Sequence, residues 1–180
     1  MALPQTKLYT EEDYYSTPED VRAELIDGQI YYLAAPSRIH QTISGELHTV
    51  INNHIKSQKG KYRVYTAPFA AKLLDDKNTI VEPDISVICN PDKLTDRGCD
   101  GSPDWIVEIV SPSTERMDYG TKLFKYRTAG VREYWIVNPI TRTVNVYDFE
   151  QDEKTKQYSF DDMIPVCIYE DLKICISDLL

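Results

Sequence analysis

The run Trp105-Ile-Val-Glu-Ile-Val110 constrains this chain more than any other segment, because it is apolar throughout except for Glu108. A short continuous apolar run followed by Ser111-Pro112 predicts a strand buried on both faces at the centre of a sheet. An ionised carboxylate in such a strand costs several kcal/mol unless it is paired, hydrogen-bonded or bound to a metal. Asp84, in Val81-Glu-Pro-Asp-Ile-Ser-Val-Ile88, raises the same question. Pro83 removes a backbone donor there and places Asp84 near a sheet margin or a bulge. If the two strands adjoin, the carboxylates meet on one face. Magnesium is typically held by one or two protein carboxylates, with waters and substrate phosphate completing its shell.

The rest of the pattern alternates helix and strand. Thr10 with Asp13 has the spacing of a capping box and starts a short helix. Residues Glu24 to Leu33 read as a hairpin around Asp27-Gly28. Ile43, Leu47, Val50, Ile51 and Ile55 recur at helical spacing and predict an amphipathic helix from Ile39 to Ile55. Tyr62–Tyr65 and Phe69–Leu74 read as one strand or a kinked pair, with a turn over Asp75–Asn78, and Val81–Cys89 as a further strand. Pro91–Pro103, rich in Asp, Gly and Pro, reads as an exposed loop. Ser111-Pro-Ser-Thr114 opens a helix over Glu115–Ala129 and Gly130 closes it. Glu133–Val137 and Thr143–Phe149 form a strand pair, and Val166–Leu180 a strand with a short terminal helix. The crossover from Trp105–Val110 to Tyr134–Val137 is predicted parallel and right-handed. The expectation is an α/β (α+β) fold with a mixed central sheet flanked by helices, in one domain over residues 1–180.

Charge enters as a constraint on partners. Twenty Lys and Arg against 29 Asp and Glu give a net charge of −9, opposite to the basic footprint usual for DNA binding. The acid gathers at Glu11–Asp13 and between Asp148 and Asp162. Basic residues gather at Lys56, Lys59, Lys61 and Arg63, and again from Lys122 to Arg132, which allows a local basic rim. No apolar run approaches the roughly 20 residues of a membrane span, and the first residues lack a secretory signal, so a cytoplasmic protein is expected. Cys89, Cys99, Cys167 and Cys175 form no CxxC pair and read as reduced, buried thiols. Ser44, Ser111 and Ser113 lack a GxSxG context, and the seven glycines form no phosphate-binding loop. Serine-hydrolase and nucleotide-binding chemistries find no support.

A cation completes the set. Lys122 borders the Tyr119, Leu123 and Tyr126 stripe of the helix after Glu108, so its ammonium can turn inward over the sheet. Periodicity divides it evenly between that role and a surface pair with Asp118, worth about 0.3–0.5 kcal/mol. Lys125 lies further from the stripe. His40 and His54 share the Leu47 face of their helix, where core or partly buried roles outweigh ligation. Glu46, on the same helix, reads as a solvated glutamate with a metal-reaching role as its alternative.

Together these segments resemble the PD-(D/E)XK nuclease superfamily and, more narrowly, its Uma-type family of restriction endonucleases. The resemblance runs through Glu24-Leu-Ile-Asp-Gly28, Pro36-Ser37 with His40, Glu82-Pro-Asp-Ile85, Glu108-Ile-Val-Ser-Pro-Ser-Thr114, Asp118 with Lys122 and Tyr126, and Ala129-Gly-Val-Arg-Glu-Tyr-Trp-Ile-Val-Asn-Pro139. It implies a restriction-endonuclease-like fold, Mg²⁺ or Mn²⁺ held by Asp84 and Glu108, hydrolysis of DNA and pairing as a homodimer. The superfamily lysine two residues after the glutamate is Val110 here, and the resemblance transfers that role to Lys122. It leaves open whether Glu24, His40 or Glu46 supplies an additional ligand. The alternative is a catalytically inactive nuclease-fold protein acting as a binding or regulatory module.

Overall fold

A computed structural model describes residues 7–18, 20–73, 78–151 and 154–180. The elements run in the order α1 (Glu11–Tyr15), β1 (Ala23–Ile26), β2 (Gln29–Tyr32), α2 (Arg38–Ser57), β3 (Arg63–Thr66), β4 (Ala70–Lys72), β5 (Ile80–Val81) and β6 (Ile85–Ile88). They continue with β7 (Leu94–Thr95), β8 (Gly98–Asp100), β9 (Trp105–Ile109), a π-helical turn (Met117–Lys122) leading into α3 (Leu123–Thr128), β10 (Glu133–Asn138), β11 (Thr143–Asp148), β12 (Lys154–Ser159), β13 (Ile164–Val166) and β14 (Tyr169–Ile174). Short 3₁₀ turns cover Pro91–Lys93 and Ser177–Leu179.

The expected mixed sheet is present, in the order β12-β11-β10-β9-β6-β3. Among the described residues its only parallel pair is β9 with β10, in the register Ile136 opposite Glu108. The described residues also form a second six-stranded sheet, β2-β1-β5-β4-β8-β7, which the sequence pattern did not separate from the first. The single strand expected over Val81–Cys89 and the strand or kinked pair expected over Tyr62–Leu74 are both shared between the sheets. Val81–Cys89 breaks at Glu82-Pro83-Asp84 into β5 of the second sheet and β6 of the first, so Asp84 sits at the handover. Tyr62–Tyr65 and the strand after Phe69 divide likewise into β3 and β4. Leu74 and most of the expected Asp75–Asn78 turn lie outside the described residues.

Local chemistry accounts for the elements that were legible. Thr10 and Asp13 exchange both capping-box bonds at α1. Asp27 and Gly28 both take positive φ, the geometry a two-residue hairpin turn demands. Gly130, at φ +84°, ends the helix in the left-handed conformation. The Pro91–Pro103 segment is a correction: it contains β7 and β8 and is partly buried, with Ser102 only 1 % exposed. A Cβ on Gly98 would lie 2.1 Å from the Ala70 carbonyl oxygen, so glycine is what lets β8 pair with β4. β12 had no sequence signal because its exposed residues are polar.

The first sheet buries two faces. Ile43, Leu47, Ile51 and Ile55 of α2 pack on one, against Trp105, Val107, Trp135 and Val137. Each such side chain contributes about 1.5–3 kcal/mol when fully buried. Ile106, Tyr134 and Ile136 face the other way, toward Tyr126 of α3 and toward Ala71 and Val81 of the second sheet. Glu108 therefore shares the face covered by α3, as strand alternation requires. Cys99 is buried, Cys89 and Cys175 are half-buried and Cys167 is exposed, all as free thiols, so burial holds for only part of the expected set. No helix of the described residues is long and apolar enough to cross a membrane.

Candidate active site

Four buried side chains meet where β1, β9 and the π turn converge. The Lys122 ammonium lies 2.9 Å from Glu24 Oε1, 3.0 Å from Glu108 Oε1 and 3.8 Å from Asp118 Oδ1. Glu24, Glu108, Asp118 and Lys122 are each no more than 4 % exposed. The Tyr126 hydroxyl donates to Glu108 Oε1 at 2.6 Å. The π turn settles what periodicity left divided. Its i→i+5 winding departs from the 100° advance of an α-helix and re-aims the side chains that follow, a device frequent at functional sites. Lys122 points inward, and its spacing from Asp118 is part of a buried cluster rather than a surface pair.

Asp84 enters from the handover between the two sheets. Its Oδ2 accepts from the Ile109 N–H at 2.8 Å and lies 3.0 Å from His40 Nε2. The Asp84 N–H faces Glu108 Oε2 at 3.4 Å, which sets the Glu108 carboxylate against the Asp84 backbone. Glu24 is locked by the Glu82 N–H, which donates to its Oε1 at 2.9 Å. Glu82 in turn accepts from the Tyr14 hydroxyl and from Arg22 Nε, each at 3.1 Å. The Pro-Asp segment is thus fixed from both sides.

Glu24, Glu108 and Lys122 line a cleft of about 400 Å³ whose walls include Arg22, His40, Asp84, Val110 and the Ser111–Thr114 turn. Of the six candidates from the sequence, Asp84, Glu108, Lys122, Glu24 and His40 all come to this cleft. Glu46 does not; it is exposed on α2. Lys125 pairs with Asp27 at the hairpin turn. Asp118 and Tyr126 were missed as site residues, since one looked like a surface-pair partner and the other like an ordinary core aromatic.

The electrostatics are those of excess negative charge. Burial pushes the Glu108 carboxyl well above its usual range; Lys122 pulls it down, while Asp118, Asp84 and Glu24 add to the rise. Asp118 is pushed up to about 6, chiefly by burial, against the pull of Lys122. Burial works against the Lys122 charge, but Glu108, Glu24 and Asp118 outweigh it and hold the amine well above its ordinary value. One ammonium faces three carboxylates, with Asp84 close enough to add to the rise at Glu108, an excess of negative charge that protons or a further cation would relieve. Among the described residues, Asp118 Oδ1 and His40 Nδ1 are buried without a hydrogen-bond partner. Among those residues no group of three or more His, Cys, Asp or Glu is arranged to hold a metal ion. The donors that do reach the cleft are hard carboxylate oxygens, and two of them suit magnesium or manganese, which retain several waters.

Residues 11–171 match the family model described as "Uma2: Putative restriction endonuclease". The chain is 30 % identical over 144 residues to "Uncharacterized protein slr1290" of Synechocystis sp., covering 78 % of this chain and 74 % of that protein. Its fold is similar to a crystal structure of "a putative nuclease belonging to DUF820" from Anabaena variabilis, with a TM-score of 0.77 and 24 % identity over 94 % of this chain and 96 % of the other. That likeness is one of fold.

Proposed function

The chain belongs to the Uma2 family, and from that premise we propose that it is a divalent-metal-dependent endonuclease hydrolysing DNA phosphodiester bonds in the Asp84–Glu108–Lys122 cleft. The observation that carries this reading is the meeting of Asp84 and Glu108 beside a buried ammonium at a cleft open to solvent. Asp84 and Glu108 would hold Mg²⁺ or Mn²⁺. When bound, the metal supplies Lewis-acid stabilisation of the phosphate oxygens and a water of lowered pKa. The chain's own residues do the rest. His40 and the Ile109 N–H orient Asp84 through its Oδ2. Glu24 and Asp118 keep Lys122 charged, so that its ammonium faces negative charge developing on the attacked phosphate. Tyr126 holds Glu108 in its rotamer. Two such clefts in a homodimer would let both strands be cut in one encounter, so the proposal includes a homodimer acting on DNA in the cytosol.

Val110, in the superfamily's usual lysine position, favours a second reading, a catalytically inactive DNA- or protein-binding module. One experiment separates them. Purified wild type with Mg²⁺ or Mn²⁺ nicks or linearises supercoiled plasmid, and Asp84→Ala slows this by at least about 10²–10³-fold with unchanged circular dichroism, the scale of losing one transition-state stabiliser. Wild-type protein inert on supercoiled, linear and single-stranded DNA contradicts the proposal and favours the second reading.

A further inference from the structure

The cleft lies at the N-terminal end of α2, where Ser37, Ile39 and His40 contribute to its wall. At the other end of the same helix stand Lys56, Lys59, Lys61 and Arg63, all exposed. Among the described residues none of the four lies within ion-pair distance of a carboxylate. The Arg63 guanidinium donates to the Lys61 and Tyr62 carbonyls and so braces the turn that presents these charges. Four cations within eight residues make a local basic cluster on a chain of net charge −9.

The helix between them is equally distinct. Arg38, Gln41, Gly45, Thr49, Asn53 and Lys56 are all exposed and fall three or four residues apart, on one face. Glu46 is the helix's one carboxylate, in a chain where almost one residue in six is acidic. Gly45, at mid-helix, has nothing within 4 Å of where a Cβ would be, so no internal packing explains a residue that costs about 0.5–1 kcal/mol there. A neutral polar stripe with a cation at each end suits a polyanion lying along it.

We infer that duplex DNA entering the cleft runs along the outer face of α2 and is held at the far end through its phosphates by Lys56, Lys59, Lys61 and Arg63. From Arg38 to Lys56 the helix rises about 27 Å, the length of about eight base pairs. The footprint therefore reaches about eight base pairs beyond the cut on that side. The inference rests on the proposed function and adds where the substrate lies.

The test compares wild type with the Lys56→Gln/Lys59→Gln/Lys61→Gln triple variant, on random-sequence duplexes of about 24 and about 8 base pairs, the second too short to span cleft and patch. Binding is measured against NaCl with Ca²⁺ present, and cleavage with Mg²⁺. The expected result is a log–log salt slope for the longer duplex reduced by about three in the variant, with short-duplex cleavage unchanged. A variant with the wild-type slope and length preference, beside a wild type that cleaves, overturns this inference alone. A wild type that neither binds nor cleaves DNA overturns the proposed function, and this inference with it.

Discussion

Glu108 and Glu133 occupy neighbouring parallel strands, and each is a glutamate buried in a largely apolar run, at 4 % and 0 % exposure. They are stabilised in opposite ways. Glu133 accepts from Trp135 Nε1 at 2.6 Å and from the Cys167 and Ile168 backbone N–H groups at 3.0 and 2.9 Å. These are neutral donors, two of them backbone N–H groups, and the Cys167 thiol adds a further neutral contact. Glu108 instead shares one ammonium with Glu24 and Asp118, takes a tyrosine hydroxyl, and borders a cleft. A buried carboxylate satisfied by amides is a finished structural element. One satisfied by a cation shared among three carboxylates is a place where charge can be exchanged.

The comparison breaks most visibly at Lys122. Lys122→Met strands Glu24, Glu108 and Asp118 without their counter-ion, and is expected to cost about 3–5 kcal/mol in chemical denaturation at neutral pH. Glu133→Gln keeps an acceptor for part of its donor set and should cost about 1–3 kcal/mol. Equal losses would mean that the two glutamates are held alike.

A smaller effect separates them by pH. Asp118, at about 6 in the folded chain against 3.8 ordinarily, holds its proton after the unfolded chain has released it. The folded state thus binds more protons between those values, and its stability falls as pH rises from about 4 to about 6. Asp118→Asn should flatten that part of the stability–pH curve, by an amount on the order of 2 kcal/mol, whereas Glu133→Gln leaves the Asp118 contribution in place. An Asp118→Asn curve parallel to wild type would contradict the shared-charge account.

The sequence made the local features legible. The Thr10 capping box, the Asp27-Gly28 turn and the Gly130 helix stop are each written in two or three adjacent residues. Glu108 was legible because its neighbours left it no other explanation, and Asp84 because Pro83 marked a strand break. What escaped was non-local. Glu24 and Lys122 lie 98 positions apart in the sequence, so no spacing rule pairs them. Asp118 at four residues before Lys122 looked like a solvated helix pair, and only the π turn and the covering second sheet bury it. The division of strands between two sheets turns on Glu82-Pro83-Asp84, where a pattern of apolar residues continues across a change of sheet. Glu133 was passed over as an ordinary strand residue, since its donors come from its own strand and from residues 34 and 35 positions later.

The central claim is that Asp84 and Glu108 bind a divalent cation and that burial alone does not make such a site. Calorimetric titration of Mn²⁺ into wild type, Glu108→Gln and Glu133→Gln tests it directly. The account predicts saturable binding to wild type and to Glu133→Gln, with affinity lowered at least about tenfold in Glu108→Gln, the scale of losing about 1.4 kcal/mol of ligand interaction. Equal affinity in Glu108→Gln and wild type, or no saturable binding in either, would contradict it.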